Sequence, residues 1–346
     1  MSEDRIPLSV LDLSPVPAGS TARRALLNTI DLARLAERLG CRRYWLAEHH
    51  NHPGLASSAP EVMIGHVAAA TERIRVGAGG IMLPNHSPLK VAEMFRVLEA
   101  LHPGRIDLGI GRAPGTDAVT AAALRRTAGV PPADDFPDRI RELLAYAGDG
   151  FPPGHPLATV NAEPREVSLP PVWMLGTSRY GASAAAALGV GLAFARYMNP
   201  RDAAELTRDY RAAFAPSGGA PRPHLILGVS VVCAEDSARA HALVMSGALW
   251  TLRMRQGRPG PIPPPEEATA QPYTERERDR VRRYLRAQVV GDPDEVVAQL
   301  RDLAEECAAD ELMVMTQVHD HRERRRSYEL LAEAWAAAGA RPAAAA

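Results

Sequence analysis

Tyr44-Trp45-Leu46-Ala47-Glu48-His49-His50-Asn51-His52-Pro53-Gly54 starts as a short apolar run and breaks into three histidines before a Pro-Gly turn. The run reads as a buried strand. Reactive side chains just past a strand's carboxyl end mark a parallel α/β protein, whose ligand sites gather there. The chain repeats this layout. Arg75-Val76-Gly77-Ala78-Gly79-Gly80-Ile81-Met82-Leu83-Pro84 is a second strand that ends in glycines. Arg105-Ile106-Asp107-Leu108-Gly109-Ile110-Gly111-Arg112-Ala113-Pro114-Gly115 is a third that ends in Gly-Arg. Three successive strands thus bring His, Gly-Gly and Gly-Arg to one end of a sheet or barrel.

Working outward, eight short apolar runs read as strands: Ile6–Leu13, Arg43–Ala47, Ile74–Gly80, Ile106–Ile110, Val172–Leu175, Val190–Ala195, Leu225–Cys233 and Glu311–Thr316. Most are continuous rather than alternating, as strands covered on both faces are. Helical spacing fills the intervals. Thr21–Leu39 repeats leucine and isoleucine at helical steps and stops at Gly40. Pro88–Leu101 opens with proline and carries Val91, Met94, Phe95, Leu98 and Leu101 on one stripe. Eight alternating βα units predict a (β/α)8 TIM barrel. A doubly wound open sheet is the runner-up, but no Gly-x-Gly-x-x-Gly follows the first strand. The expectation is one barrel domain over residues 1–340. Proline-rich insertions are expected after strand 4 (113–171) and before strand 8 (255–288), with a frayed tail at 341–346.

The 346 residues are 46% hydrophobic with a net charge of −1. That supports a large core and gives no reason to expect nucleic acid or an anionic membrane as partner. Cys41, Cys233 and Cys307 are far apart and lack Cys-x-x-Cys spacing, so neither a disulfide framework nor a thiolate metal site is expected. With no apolar leader and no run of 18 apolar residues, a cytoplasmic protein without membrane spans is the expectation.

Three of these motifs, in order, resemble the bacterial luciferase-like flavin monooxygenase family: Trp45-Leu46-Ala47-Glu48-His49-His50, Val76 to Pro84, and Gly104 to Arg112. Val290-Gly291-Asp292-Pro293-Asp294-Glu295-Val296 and Asp310-Glu311-Leu312-Met313-Val314 extend the resemblance, which runs from about Leu8 to Ala337. It implies a barrel that binds reduced FMN or, in some branches, the deazaflavin F420. Such enzymes take up O2 at flavin C4a and use the resulting peroxide on a small organic substrate. Many receive reduced FMN from a separate NAD(P)H:flavin reductase. Members commonly form homodimers through early helices, here Pro60–Thr71 and Pro88–Leu101. The resemblance makes His49 the acid/base residue and Gly79-Gly80 a non-proline cis peptide against the isoalloxazine. It makes Arg112 a phosphate contact, with Ser178, Thr177 and the Gly181 N–H as the other half of that site. Luciferase has a reactive cysteine where this chain has Gly111, so no thiol chemistry carries over.

The residue chemistry agrees with those roles, though each has a plainer alternative. An imidazole titrates near neutral pH, but a loop histidine can also serve only as a hydrogen-bonding group. Glycines admit a close ring, or merely end a strand. A guanidinium pairs with phosphate through two bonds, and a helix start offers free N–H groups to an anion; the same residues suit a surface arginine and an ordinary N-cap. His49 and His52 have His-x-x-His spacing, yet a loop cluster with no distant ligand is a weak metal signal, and no metal is expected. By topology, Asp12, Ser14, Asn85, His86, Ser87, Arg196, Tyr197 and Asn199 end strands on the same face. Of these, Asp12, Ser14, Asn85 and Arg196, together with Glu48 and His50 of the first loop, are the candidates to line the substrate pocket, each with a purely structural alternative; Trp250 and Met254 suit a substrate wall or, as helical apolar residues more often do, the core. The function expected is an FMN-dependent monooxygenase, with the tailoring of a secondary metabolite, as in antibiotic biosynthesis, expected by analogy. An F420-dependent dehydrogenase and a non-catalytic flavin-binding protein are the alternatives.

Overall fold

Every apolar run read as a strand is one. In chain order the strands are β1 (Leu8–Asp12), β2 (Arg43–Leu46), β3 (Arg75–Met82), β4 (Ile106–Gly111), β5 (Val172–Gly176), β6 (Gly191–Ala195), β7 (Leu225–Cys233), β8 (Gln288–Gly291) and β9 (Glu311–Met315). The computed structural model describes residues 5–125, 135–148, 150–217 and 220–339. Pro131-Pro132 of the expected insertion and the tail at 341–346 lie outside the described residues.

All pairings among these strands are parallel. β1 sits between β2, with Val10 opposite Tyr44, and β9, with Val10 opposite Val314. From β2 the ladder runs through β3, β4, β5, β6 and β7 to β9. An open doubly wound sheet has two edges; this ring of eight has none. It is a TIM barrel.

β8 stands outside the ring. On the edge away from β6, the long β7 serves two partners, Ile226–Ser230 facing β9 and Ser230–Cys233 facing β8. The sequence reading placed no strand at Gln288–Gly291, leaving that stretch at the end of the expected insertion. Four residues, two of them half-buried, carry too little pattern to be read as a strand. A helix at Ala118–Arg125 was also unread; Asp117 starts it by accepting the Val119 and Thr120 N–H groups, each at 3.0 Å.

Strand alternation sorts the core into two clusters. Val10, Tyr44, Leu46, Val76, Ala78, Ile106 and Leu108 pack outward against the helices. Leu11, Leu13, Trp45, Ala47, Trp173, Ala193, Ile226, Met313 and Met315 fill the barrel interior. Charged side chains gather at the amino-terminal end of the interior. There Arg43 bonds Glu311 at 2.9 Å and Asp107 at 2.8 Å, Trp45 Nε1 donates to Asp107 at 3.1 Å, and Arg75 reaches Asp107 at 2.7 Å. The Arg43 guanidinium lies 4.6 Å from the Trp173 ring. These charges satisfy one another and plug the floor. Ligand chemistry is left to the carboxyl-terminal mouth.

A strap, residues 256–264, crosses that mouth. Ile262 N–H donates to the Val16 carbonyl at 2.9 Å, and Ala18 N–H to the Ile262 carbonyl at 2.8 Å. Trp250 Nε1 donates to the Gly260 carbonyl at 3.0 Å. Val16 N–H also donates to the Gly54 carbonyl at 2.8 Å, which joins the strap to the histidine loop. Among the described residues no helix is long and apolar enough to cross a membrane.

Candidate active site

Beyond β2 the chain buries Glu48 completely. One carboxylate oxygen, Oε1, accepts from His50 Nε2 at 2.7 Å and from His86 Nε2 at 2.9 Å. The other, Oε2, accepts the Met82 N–H at 2.8 Å. Burial alone would raise the Glu48 pKa, but the bonds from His86, His50 and Met82 outweigh it and hold the group below the usual carboxylate range. Burial pulls His86 down, and the Glu48 carboxylate more than reverses this, so His86 titrates above its ordinary value. This cluster staples the loops after β2 and β3. The loop after β4 joins it: His50 N–H donates to the Gly115 carbonyl at 3.1 Å, and Thr116 Oγ1 to the His50 carbonyl at 2.9 Å. Asn85 Nδ2 donates to the Pro114 carbonyl, and Arg139, from helix Phe136–Ala147, to the His86 carbonyl, both at 2.9 Å.

Glu48→Gln tests the staple. An amide offers one acceptor oxygen where two are used, and its NH2 would face donors. A loss of about 1–3 kcal/mol is expected, measured by denaturant unfolding, with His86 titrating lower by NMR. The signs follow from the shifts. The depressed Glu48 contributes stability above the ordinary carboxylate pKa, lost as pH falls through its lower folded value. The raised His86 contributes below the ordinary histidine pKa, lost as pH rises through its higher folded value.

His49, next to the staple, is half-buried, and its N–H donates to the Ser57 carbonyl at 2.8 Å. Burial first, then the neighbouring His52 and His50, push its pKa down to about 4 against the pull of Glu48. At neutral pH it is an uncharged imidazole, able to take a proton. His52 turns away onto Trp250, with ring centroids 5.1 Å apart, and its Nε2 lies 3.2 Å from Met254 Sδ. Among the described residues no group of three or more His, Cys, Asp or Glu is placed to hold a metal ion.

The Gly79-Gly80 peptide is cis. A Cβ on Gly80 would sit 2.7 Å from the Gly109 carbonyl oxygen, so that position requires glycine; one on Gly79 would meet Leu11 Cδ1 at 2.7 Å, the movable end of a side chain. Arg112 leaves β4 with its guanidinium 4.3 Å from the Tyr180 ring. Tyr180 lies in the first turn of helix Arg179–Leu188, whose N-cap is Ser178; the Ser178 hydroxyl does not cap it. Gly181 packs so closely on Gly176 that a Cβ would lie 2.9 Å from the Gly176 Cα. Thr177 is fixed through its carbonyl, which accepts from Asn199 Nδ2 at 2.9 Å. A cation thus stands over an uncapped helix start, a combination suited to phosphate.

A model of the family described as luciferase-like monooxygenase matches residues 6–311. The chain belongs to that family. It is 42% identical over 330 residues to a luciferase-like monooxygenase of Escherichia coli (strain K12), covering 95% of this chain and 97% of that one. It is 34% identical to N-acetyl-S-alkylcysteine monooxygenase of Bacillus subtilis (strain 168), covering 96% and 99%. Among solved structures it resembles that of apo-MsnO8, at 42% identity and a TM-score of 0.87, covering 96% and 99%.

Not every candidate joins the cluster in this luciferase-like chain. Asp12 points away from the interior, where its Oδ1 accepts from Arg324 and from the Ser14 N–H, each at 2.7 Å, and its Oδ2 accepts from the Tyr44 hydroxyl. The Ser14 hydroxyl pairs with Thr29 at 2.8 Å. Arg196 reaches toward the Ala287 carbonyl at 3.4 Å, on the β8 side. These three serve packing between barrel and helices. Sequence reasoning missed Arg139, Thr116 and Ser57. Thr116-Asp117 was readable as a helix start; the other two carry no local signal.

Proposed function

We propose that this chain is an FMN-dependent monooxygenase that uses reduced FMN and O2 to oxidise a small organic substrate. The observation that carries the reading is the joint placement of His49, the Gly79-Gly80 cradle and the Arg112–Ser178 seat at one barrel mouth. The donor set fits a flavin mononucleotide. The guanidinium and helix start suit a phosphate dianion, and His49 keeps a buried nitrogen without a partner among the described residues. Bound reduced flavin supplies the electrons that activate oxygen.

The protein's own part is to bind, orient and exclude water. Arg112, Thr177, Ser178 and the Gly181 N–H hold the phosphate. Gly79 and Gly80 let the ring approach the backbone. His49 accepts and returns a proton through its imidazole. The strap, with its own Ile262 and the adjoining Trp250 buried, keeps water from the apolar interior. The reduced flavin comes from a separate NAD(P)H:flavin reductase in the cytoplasm, as is common in the family. Anaerobic titration with reduced FMN and with reduced F420, followed by admission of oxygen, tests the assignment. Tight FMN binding with substrate-dependent oxygen uptake is expected. Binding of F420 with no oxygen consumption would replace it with a dehydrogenase, and flavin binding without turnover with a carrier. Arg112→Ala should weaken reduced-FMN binding about 10- to 100-fold, read by the same titration.

The reading includes a homodimer. Helices Pro60–Ala69 and Pro88–Leu101 leave Val62, Val97 and Leu101 exposed at 57%, 47% and 68%. A shallow groove between them is lined by Val62, Met94, Val97 and Leu98, with Glu61, Lys90 and Glu93 at its rim. An apolar floor with a mixed-charge rim suits a second copy of the same surface. Val97→Glu should convert the dimer to monomer in sedimentation velocity; an unchanged sedimentation coefficient would remove this face from the interface.

A further inference from the structure

Ser57 and His49 each bury a polar side-chain atom, Oγ and Nδ1 respectively, with no hydrogen-bond partner among the described residues. Ser57 is only 2% exposed. The two residues are joined by the main-chain bond from His49 N–H to the Ser57 carbonyl, and the adjoining Ala56 N–H donates to the Ser14 carbonyl at 2.9 Å. Ser57 is therefore fastened on both sides. Buried polar atoms are nearly always paired, and an exception marks a catalytic group or an ordered water. Two such atoms on directly bonded residues are harder to dismiss than one.

The other polar groups around His49 are already engaged. Both Glu48 oxygens are taken, by His50, His86 and Met82. His50 spends its Nε2 on that carboxylate. His52 accepts the Gly54 N–H at Nδ1, at 3.2 Å, and its Nε2 faces Met254. Ser57 remains. A hydroxyl both donates and accepts, and one water between it and an imidazole nitrogen would satisfy both.

We propose that Ser57 is a positioning residue for His49: one ordered water donates to the Ser57 Oγ and accepts from His49 Nδ1–H, which leaves the Nε2 lone pair as the base. The role in turnover rests on the monooxygenase reading; the contact itself does not. The charged and titratable neighbours of His49 are Glu48, His50 and His52, and none of them is altered by changing Ser57.

The test is 15N NMR of the histidine rings in the full-length protein, with kcat/KM profiles against pH beside it. Wild type should show His49 protonated on Nδ1. In Ser57→Ala the proton should move to Nε2, the titration of His49 should fall, and kcat/KM at neutral pH should drop about tenfold, part of what a general base contributes. Ser57→Thr, which keeps the hydroxyl, should restore the wild-type tautomer. A purely structural serine would alter the melting temperature and leave the tautomer alone. The same His49 tautomer and titration in wild type and Ser57→Ala would overturn the proposal, whatever the oxygen uptake. A tautomer switch in a protein that consumes no oxygen with reduced FMN would uphold the contact and sink the monooxygenase reading.

Discussion

His49→Ala is expected to lower kcat about 10²- to 10⁴-fold, the range contributed by a well-placed general base, with reduced FMN still bound. The two effects separate because the proposed phosphate seat lies on β4 and the helix after β5, whereas His49 stands on the loop after β2. With a pKa of about 4, His49 is uncharged over the whole neutral range. The acidic limb of the wild-type kcat/KM profile should therefore fall near that value, and it should disappear in His49→Ala. Single-turnover oxidation of substrate, started by mixing the protein–FMNH2 complex with oxygen, is the measurement. Near-wild-type turnover in His49→Ala would move the proton chemistry to another group.

Asp12→Ala should produce the largest loss of stability, about 3–5 kcal/mol in denaturant unfolding, the usual result of removing one partner of a buried pair. Arg324 would be left without its carboxylate, and Tyr44 would keep only the Thr29 carbonyl as acceptor. Burial alone would raise the Asp12 pKa; the Arg324 charge and the bonds from Tyr44 and Arg324 outweigh it, and the net shift is downward. Its contribution is therefore present above the ordinary aspartate pKa and lost as pH falls through the lower folded value. The difference in stability between wild type and Asp12→Ala should narrow on acidification. Affinity for reduced FMN in the folded fraction should stay unchanged, and a selective loss of binding would return Asp12 to the pocket.

Asp12 also shows where reading the chain succeeded and where it stopped. The ring strands were legible because each is a short apolar run bounded by a helix with its own periodicity. β8 was not, being four residues long and half covered. That Asp12 ends β1 was legible too. Its direction was readable in principle, since Leu11 and Leu13 point inward and a strand alternates. Glu48, His49 and His50 were visible as a group, but their division of labour was not. His86 lies 38 residues from Glu48, and only folding brings the two within a bond. Arg196 ends β6 as expected, yet its long side chain reaches the β8 side, which no local pattern encodes. Ser57 sits among ordinary small residues, and its interest lies wholly in a hydroxyl that the surrounding fold leaves unpaired.

Beyond Gln256, whose Nε2 donates to Glu277 at 2.7 Å, the strap is held by peptide groups and by the Trp250 indole. Arg258, Pro259 and Pro261 face solvent, while Ile262 alone in this short span is both fully buried and bonded through its N–H and its carbonyl. Attachment and lining are thus separate properties of the same residues. Exchanging Ile262 for another apolar side chain would alter what the barrel mouth accepts while every fastening stayed in place. A chain built this way can change its selectivity by single steps, each tolerated by the fold, and a designer could follow the same route.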